Sequence, residues 1–233
     1  MPESQSLKTR IGELKERISE ACASADRDFE SVTLLAVSKT RPGGDIEIAL
    51  GAGITRFGEN YVDEAAAKQD QLGRSGLEWH FIGPIQSNKT RTIAERFDWV
   101  HSADRAKVIR RLGEQRSHNQ SPLNVLLQVN IDREPQKAGC DPDDLETLAA
   151  LVAEFPALRL RGLMAIPSAD NSSEATRAAF AAMRRLYQTL KSDQPGVDTL
   201  SMGMSGDLEA AIAEGSTMVR VGTALFGPRA NAG

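Results

Sequence analysis

Short apolar, β-branched segments alternate with helix-patterned ones along almost the whole chain, and this alternation constrains the fold more than any other feature. Strand-like runs fall at 32–37, 55–59, 79–82, 99–101, 124–130, 158–166, 199–202 and 218–225. Helical patterns separate them at 44–52, 62–72, 88–97, 106–115, 143–155, 173–191 and 207–214. No two consecutive strands lack a helix between them, which predicts right-handed βαβ units around a parallel sheet. Eight such units within 233 residues fit an α/β fold of the (β/α)8 barrel type. A doubly wound open sheet has the same periodicity and is the alternative. No Pro/Ser linker, low-complexity tract or composition break divides the sequence, so residues 1–233 are expected to form one domain.

An extra helix is predicted ahead of the first strand, over residues 6–25. Leu7, Ile11, Leu14, Ile18 and Ala21 recur at spacings of 4, 3, 4 and 3, one apolar stripe on a helix whose other faces carry Lys8, Arg10, Glu13, Lys15, Glu16 and Arg17. The mixed signs of those charges favour docking on the chain's own domain over a membrane surface. A net charge of −4 argues against nucleic acid as a partner. No apolar run approaches a bilayer span, and the charged N-terminus does not read as a signal peptide. Cys22 and Cys140 are too few for a disulfide scaffold, and with His80, His101 and His118 they form no metal-ligand spacing. A cytoplasmic protein without a bound metal is the expectation.

In a (β/α)8 barrel, chemistry sits at the C-terminal ends of the strands. Lys39 follows the apolar run LLAV there. A lysine in that place is desolvated and made nucleophilic, the preparation for a Schiff base, or it reaches solvent or pairs with Glu59. Near the chain's end, SMGMSGD at 201–207 and RVGT at 220–223 surround the exits of the last two strands, where phosphate sites of this fold are frequently built. Ser205 or Asp207 could equally be a helix N-cap. A nucleophilic lysine facing a phosphate cradle suits a phosphorylated carbonyl compound held as an imine, in a Schiff-base aldolase or in a pyridoxal phosphate (PLP) protein. Arg220 favours the second if its guanidinium faces the pyridine nitrogen, since that weakens the ring as an electron sink. A surface ion pair is its other reading.

The segments AVSKT around Lys39, RFGENYVDEAAAK at 56–68, WHFIGPIQSNKTR at 79–91, LQVNI at 127–131, RGLMAI at 161–166 and LSMGMSGDLEAAIAEGSTMVRVGTALFG at 200–227 resemble the YggS/PROSC family of pyridoxal phosphate homeostasis proteins. The resemblance runs from about residue 7 to 228. It implies the PLP barrel of fold-type III, shared with the N-terminal domain of alanine racemase. It also implies that Lys39 holds PLP as a Schiff base and that Ser205, Gly206, Gly222 and Thr223 hold its phosphate. Arg220 would face the pyridine nitrogen, Asn60 and Met164 would line the ring, and Ser201 and Met202 would approach it. One loop departs from the family pattern: Gln136-Lys137-Ala138-Gly139 lacks a serine, and Lys137 is read as a solvated lysine.

The family is associated with PLP homeostasis rather than turnover, with apo PLP-dependent enzymes as recipients. A two-base racemase needs a second acid/base group opposite the lysine. Alanine racemase draws a tyrosine from a separate domain for which this chain leaves no room. Tyr187 is expected inside a helix; Tyr61, at the barrel mouth, is the one candidate, with packing under the helix that follows it the favoured reading. These points favour a monomeric carrier with no catalytic residue, a weak racemase or lyase using Lys39 as sole base being the alternative.

Overall fold

The structure, a computed structural model, describes residues 3–73, 76–168 and 170–228. Eight parallel strands close into a barrel in sequence order. They are β1 Thr33–Val37, β2 Arg56–Glu59, β3 Glu78–Phe81, β4 Trp99–Ala103, β5 Leu123–Gln128, β6 Leu158–Met164, β7 Thr199–Ser201 and β8 Met218–Val221. Helix α1, Glu3–Ser24, precedes them. Around the barrel follow α2 Gly43–Gly51, α3 Val62–Leu72, α4 Thr90–Arg96, α5 Ala106–Gln115, α6 Leu145–Ala153, α7 Ser173–Asp193, α8 Leu208–Ala213 and α9 Thr223–Phe226. The pairing of β1 with β8, in register from Thr33 with Met218 to Ala36 with Val221, removes the open-sheet alternative.

Apolar residues on both faces of the strands divide the interior. Outward-facing Ala36, Phe57, Val100 and Val219 join helix residues such as Ile46, Ile93 and Leu112 in one large cluster. Trp99, Leu126 and Met164 form a separate one inside the barrel. Gly58 is a place where the interior needs a missing side chain. A Cβ there would sit 3.1 Å from Ile82 Cδ1 and 3.3 Å from Leu35 Cδ2.

Helix α1 buries the stripe read from the sequence, Leu7, Ile11, Leu14, Ile18 and Ala21. Each large aliphatic side chain removed from water stabilises the docking by roughly 2 kcal/mol. The same helix spends its cations on backbone carbonyls. Arg10 donates to Leu225 O at 3.0 Å and Phe226 O at 3.2 Å, capping α9. Arg17 Nη1 donates to Ser205 O at 2.9 Å, while its other donors engage the Glu209 carboxylate. Two loops that follow β7 and β8 are therefore braced by α1.

Several strand limits differ from those expected. The last strand ends at Val221 rather than running to Leu225, because the chain turns into α9 at Gly222. There the backbone passes close to β1: a Cβ on Gly222 would lie 3.3 Å from Val37 O. Strands β5 and β6 stop at Gln128 and Met164, two residues short of the apolar runs. Val129 leaves the strand to form an isolated bridge with Cys140.

Candidate functional site

Lys39 lies in the turn after β1, two residues beyond the strand, and is half-buried. The turn is fixed from α3. Thr40, at φ 61°, donates its N–H to Glu64 Oε1 at 2.6 Å, and Lys68 Nζ donates to Ser38 O at 2.7 Å. Glu59 is engaged by Lys68 Nζ at 2.7 Å and by Ser38 Oγ at 2.6 Å. Glu59, which the sequence offered as a partner for Lys39, is thus paired with Lys68. Desolvation raises the Glu59 carboxyl despite the lowering effect of Lys68.

Lys39 opens onto a cleft of about 310 Å³ at the C-terminal mouth of the barrel. Asn60, Ser205, Gly206, Arg220, Gly222 and Thr223 line it with Lys39, together with Val37, Arg41, Ile82, Ile166 and Met204. The loop at 203–207 is held in shape by Asp207, whose Oδ1 accepts from Met204 N–H at 2.6 Å. Ser205 Oγ accepts from Ala224 N–H at 3.3 Å, tying that loop to the start of α9. Asp207 thus works as a loop brace rather than by a side-chain hydrogen bond to the end of α8.

Arg220 is no surface ion pair. It is 4% exposed and donates only to uncharged acceptors: Ser201 O and Oγ, both at 2.8 Å, and Ala165 O at 2.9 Å. Burial lowers its pKa to about 10, so it remains a cation at neutral pH. Behind it, Ser201 Oγ lies 3.2 Å from His101 Nδ1, and His101 Nε2 lies 2.9 Å from His80 Nδ1. Both histidines, left unassigned by the sequence, are fully buried inside the barrel.

Three residues expected near the ring do not line the cleft. Met164 is buried with Trp99 and Leu126 inside the barrel. Ser201 stands behind Arg220. Met202, just past β7, lies in the cluster shared with Leu208 and Ile212 of α8. Tyr61 is 57% exposed instead of packing under α3, and it too is absent from the lining. Lys137 is not simply solvated: it pairs with Asp132 and Glu134, each at 3.0 Å. Arg41 was not singled out by sequence reasoning. Its place two residues after Lys39, at the entry to α2, was the available signal.

Residues 11–230 match the family model described as alanine racemase, N-terminal domain. A pyridoxal phosphate homeostasis protein of Pseudomonas aeruginosa is 57% identical over 219 residues, covering 94% of this chain and 94% of the relative. The chain belongs to the family of pyridoxal phosphate homeostasis proteins. Another member, from Escherichia coli strain K12, is 50% identical over 222 residues, covering 94% and 95% of the two chains. Among solved structures, PipY of Synechococcus elongatus with PLP bound superposes with a TM-score of 0.79 at 40% identity, covering 90% of this chain and 100% of that one.

The cleft of this homeostasis-family chain can be tested against PLP by its donors. Asn60 Oδ1 is buried without a hydrogen-bond partner at the cleft wall, a polar atom waiting for a donor. The cations Lys39, Arg41 and Arg220 and the hydroxyls of Ser205 and Thr223 suit a dianionic phosphate and a polar ring. The volume falls at the lower end of small-molecule sites. The residues fit the group.

Proposed function

We propose that this chain binds PLP in the cleft beside Lys39 and serves intracellular PLP homeostasis by holding the cofactor and delivering it to apo PLP-dependent enzymes. One observation carries the reading: a single cleft gathers the half-buried Lys39, the buried cation Arg220, and the Ser205–Gly206 and Gly222–Thr223 backbones. The homologue PipY, with PLP bound in its structure, supports it.

Bound, PLP supplies an aldehyde able to condense with amines and an electron-withdrawing ring. Lys39 Nζ would be the amine that holds that aldehyde covalently. Ser205, Gly206, Gly222 and Thr223 would bind the phosphate, with Arg41 contributing charge nearby. Asn60 would bond a polar ring substituent. Arg220, a donor with no proton to give up near neutral pH, would hold the ring nitrogen as an acceptor and limit electron withdrawal.

Carriage is favoured over two-base turnover by the lining itself. Among its described residues there is no Tyr, His, Cys or carboxylate to oppose Lys39 as a second acid/base group. The protein is read as a monomeric, cytoplasmic binder. Among the described residues, no helix is long and apolar enough to cross a membrane.

Borohydride reduction of the yellow protein followed by peptide mapping tests the attachment. Label on the Lys39 peptide, lost in Lys39→Ala, is the expected result. Label elsewhere, or none, overturns the site. Incubation of the loaded protein with an apo PLP-dependent enzyme tests delivery. Recovery of that enzyme's activity no faster than with free PLP would reject it.

A further inference from the structure

We propose that Glu78, His80, His101 and Ser201 form a polarised hydrogen-bonded chain through the barrel that positions the Arg220 guanidinium and carries the negative charge of Glu78 toward it. This rests on the reading of the cleft as a PLP site, with Arg220 at the ring nitrogen.

The chain begins at the end of the barrel opposite the cleft. Glu78 Oε1 lies 2.9 Å from His80 Nε2, His80 Nδ1 lies 2.9 Å from His101 Nε2, and His101 Nδ1 lies 3.2 Å from Ser201 Oγ. Ser201 Oγ in turn lies 2.8 Å from Arg220 Nη1. Four strands contribute, β3, β4, β7 and β8, so the contacts cross the barrel interior rather than follow one wall.

The two ends fix the direction of every bond. Arg220 can only donate, so Ser201 Oγ accepts from it, and with His101 neutral and its proton required on Nε2 by the Glu78 end, the Ser201 hydroxyl donates to the bare His101 Nδ1. His101 then carries its proton on Nε2 and donates to His80 Nδ1. His80 carries its proton on Nε2 and donates to the Glu78 carboxylate, which can only accept. The reverse order would set a bare His80 nitrogen against the carboxylate. Each imidazole is thereby used once as donor and once as acceptor, and both are neutral.

The surroundings agree with neutral rings. His80 faces Glu78, His101 and the stacked Trp99 ring at 5.3 Å, with Arg56 on Glu78 and the Asp98 charge nearby. His101 faces His80, Ser201, the Trp99 ring and the charge of Arg220. Desolvation lowers both, and for His101 the charge of Arg220 lowers it further. Bonds aligned in one direction polarise one another. Ser201 Oγ becomes a stronger acceptor, and Arg220, on which Asp207 acts only through space, receives a further part of its compensation from Glu78 through this chain. Ser201, His101 and His80 are positioning residues for Arg220.

Nitrogen-15 NMR of histidine-labelled protein tests the chain, both free of PLP and loaded. His80 and His101 are expected as neutral Nε2–H tautomers from about pH 5 to 8. A proton on Nδ1 of His80 or His101, or titration of either in that range, overturns the proposal. In the loaded protein, Glu78→Gln keeps an acceptor but removes the charge. The pH midpoint of the visible absorbance from the lysine–cofactor link should move down by roughly a few tenths of a unit, because Arg220 is then less compensated. An unchanged midpoint in a normally loaded Glu78→Gln protein also overturns it. Failure of the parent protein to load PLP refutes the cofactor reading instead, and the tautomers then decide the chain alone.

Discussion

Lys68 Nζ lies 2.7 Å from Glu59 Oε1 in a buried pocket of charge directly beneath the turn that carries Lys39. Lys68 also binds Glu64 at 2.6 Å and Ser38 O at 2.7 Å, so one ammonium joins the turn after β1, β2 and α3. Removing one member of a buried pair leaves the other charge uncompensated, at a cost of about 3 kcal/mol or more. Lys68→Met is therefore expected to lower the stability by that order in urea titration and to weaken PLP binding by loosening the Lys39 turn. A variant as stable as the parent would show that the charge cluster contributes nothing net.

Arg17 reaches from α1 to the Ser205 carbonyl at 2.9 Å. Its pairing with the exposed Glu209 contributes little by itself, but the bond to the loop orders backbone that lines the cleft. Arg17→Ala should weaken PLP binding about fivefold, the equivalent of one partly exposed hydrogen bond of ~1 kcal/mol. Absorbance titration with PLP measures this directly. Glu209→Ala, which removes only the exposed partner, should leave affinity within about twofold.

Gly83 is enclosed by the backbone of the neighbouring loop: an added Cβ would lie 2.2 Å from Asn60 O. Gly83→Ala must push Asn60 away from the cleft wall. Overpacking of this kind costs about 1–3 kcal/mol, and here the strain falls on a lining residue. Both the urea midpoint and PLP affinity should fall. Full affinity in the variant would separate Asn60 from binding.

Burial alone would raise the Glu78 carboxyl, but the hydrogen bond donated by His80 and the charge of Arg56 lower it, to about 2 against an ordinary 4.5. A depressed folded-state pKa contributes stability that is present above pH 4.5 and is lost as pH falls toward 2. Because Glu78 is partly exposed, solvent screening reduces the contribution to about 1 kcal/mol. The stability difference between parent and Glu78→Gln should be largest near pH 6 and shrink on acidification. Urea titrations at a series of pH values check it, and a difference independent of pH would contradict the assignment.

Much of the site could be read from the sequence because strand ends and turns are local features. Lys39, Asn60, Ser205, Gly206, Arg220, Gly222 and Thr223 all fall within a few residues of a strand's C-terminal end, and barrel geometry brings those ends to one mouth. Met164 and Met202 lie outside the cleft lining, and their place in the interior could not be read from the sequence. In a strand buried on both faces, hydrophobicity does not reveal which side chains point inward. Tyr61 was misjudged because an aromatic residue ahead of a helix has no sequence mark for whether it packs or protrudes.

The sequence alone determined the alternation of strands and helices and the apolar stripe of α1, since periods of 2 and 3.6 residues are properties of short segments. Tertiary structure decided that β8 closes on β1, that Lys68 pairs with Glu59, and that His80, His101, Ser201 and Arg220 line up inside the barrel. His101 and Ser201 are separated by 100 residues. Contacts between such distant positions depend on how strands are ordered and rotated around a closed barrel, and no local pattern carries that information.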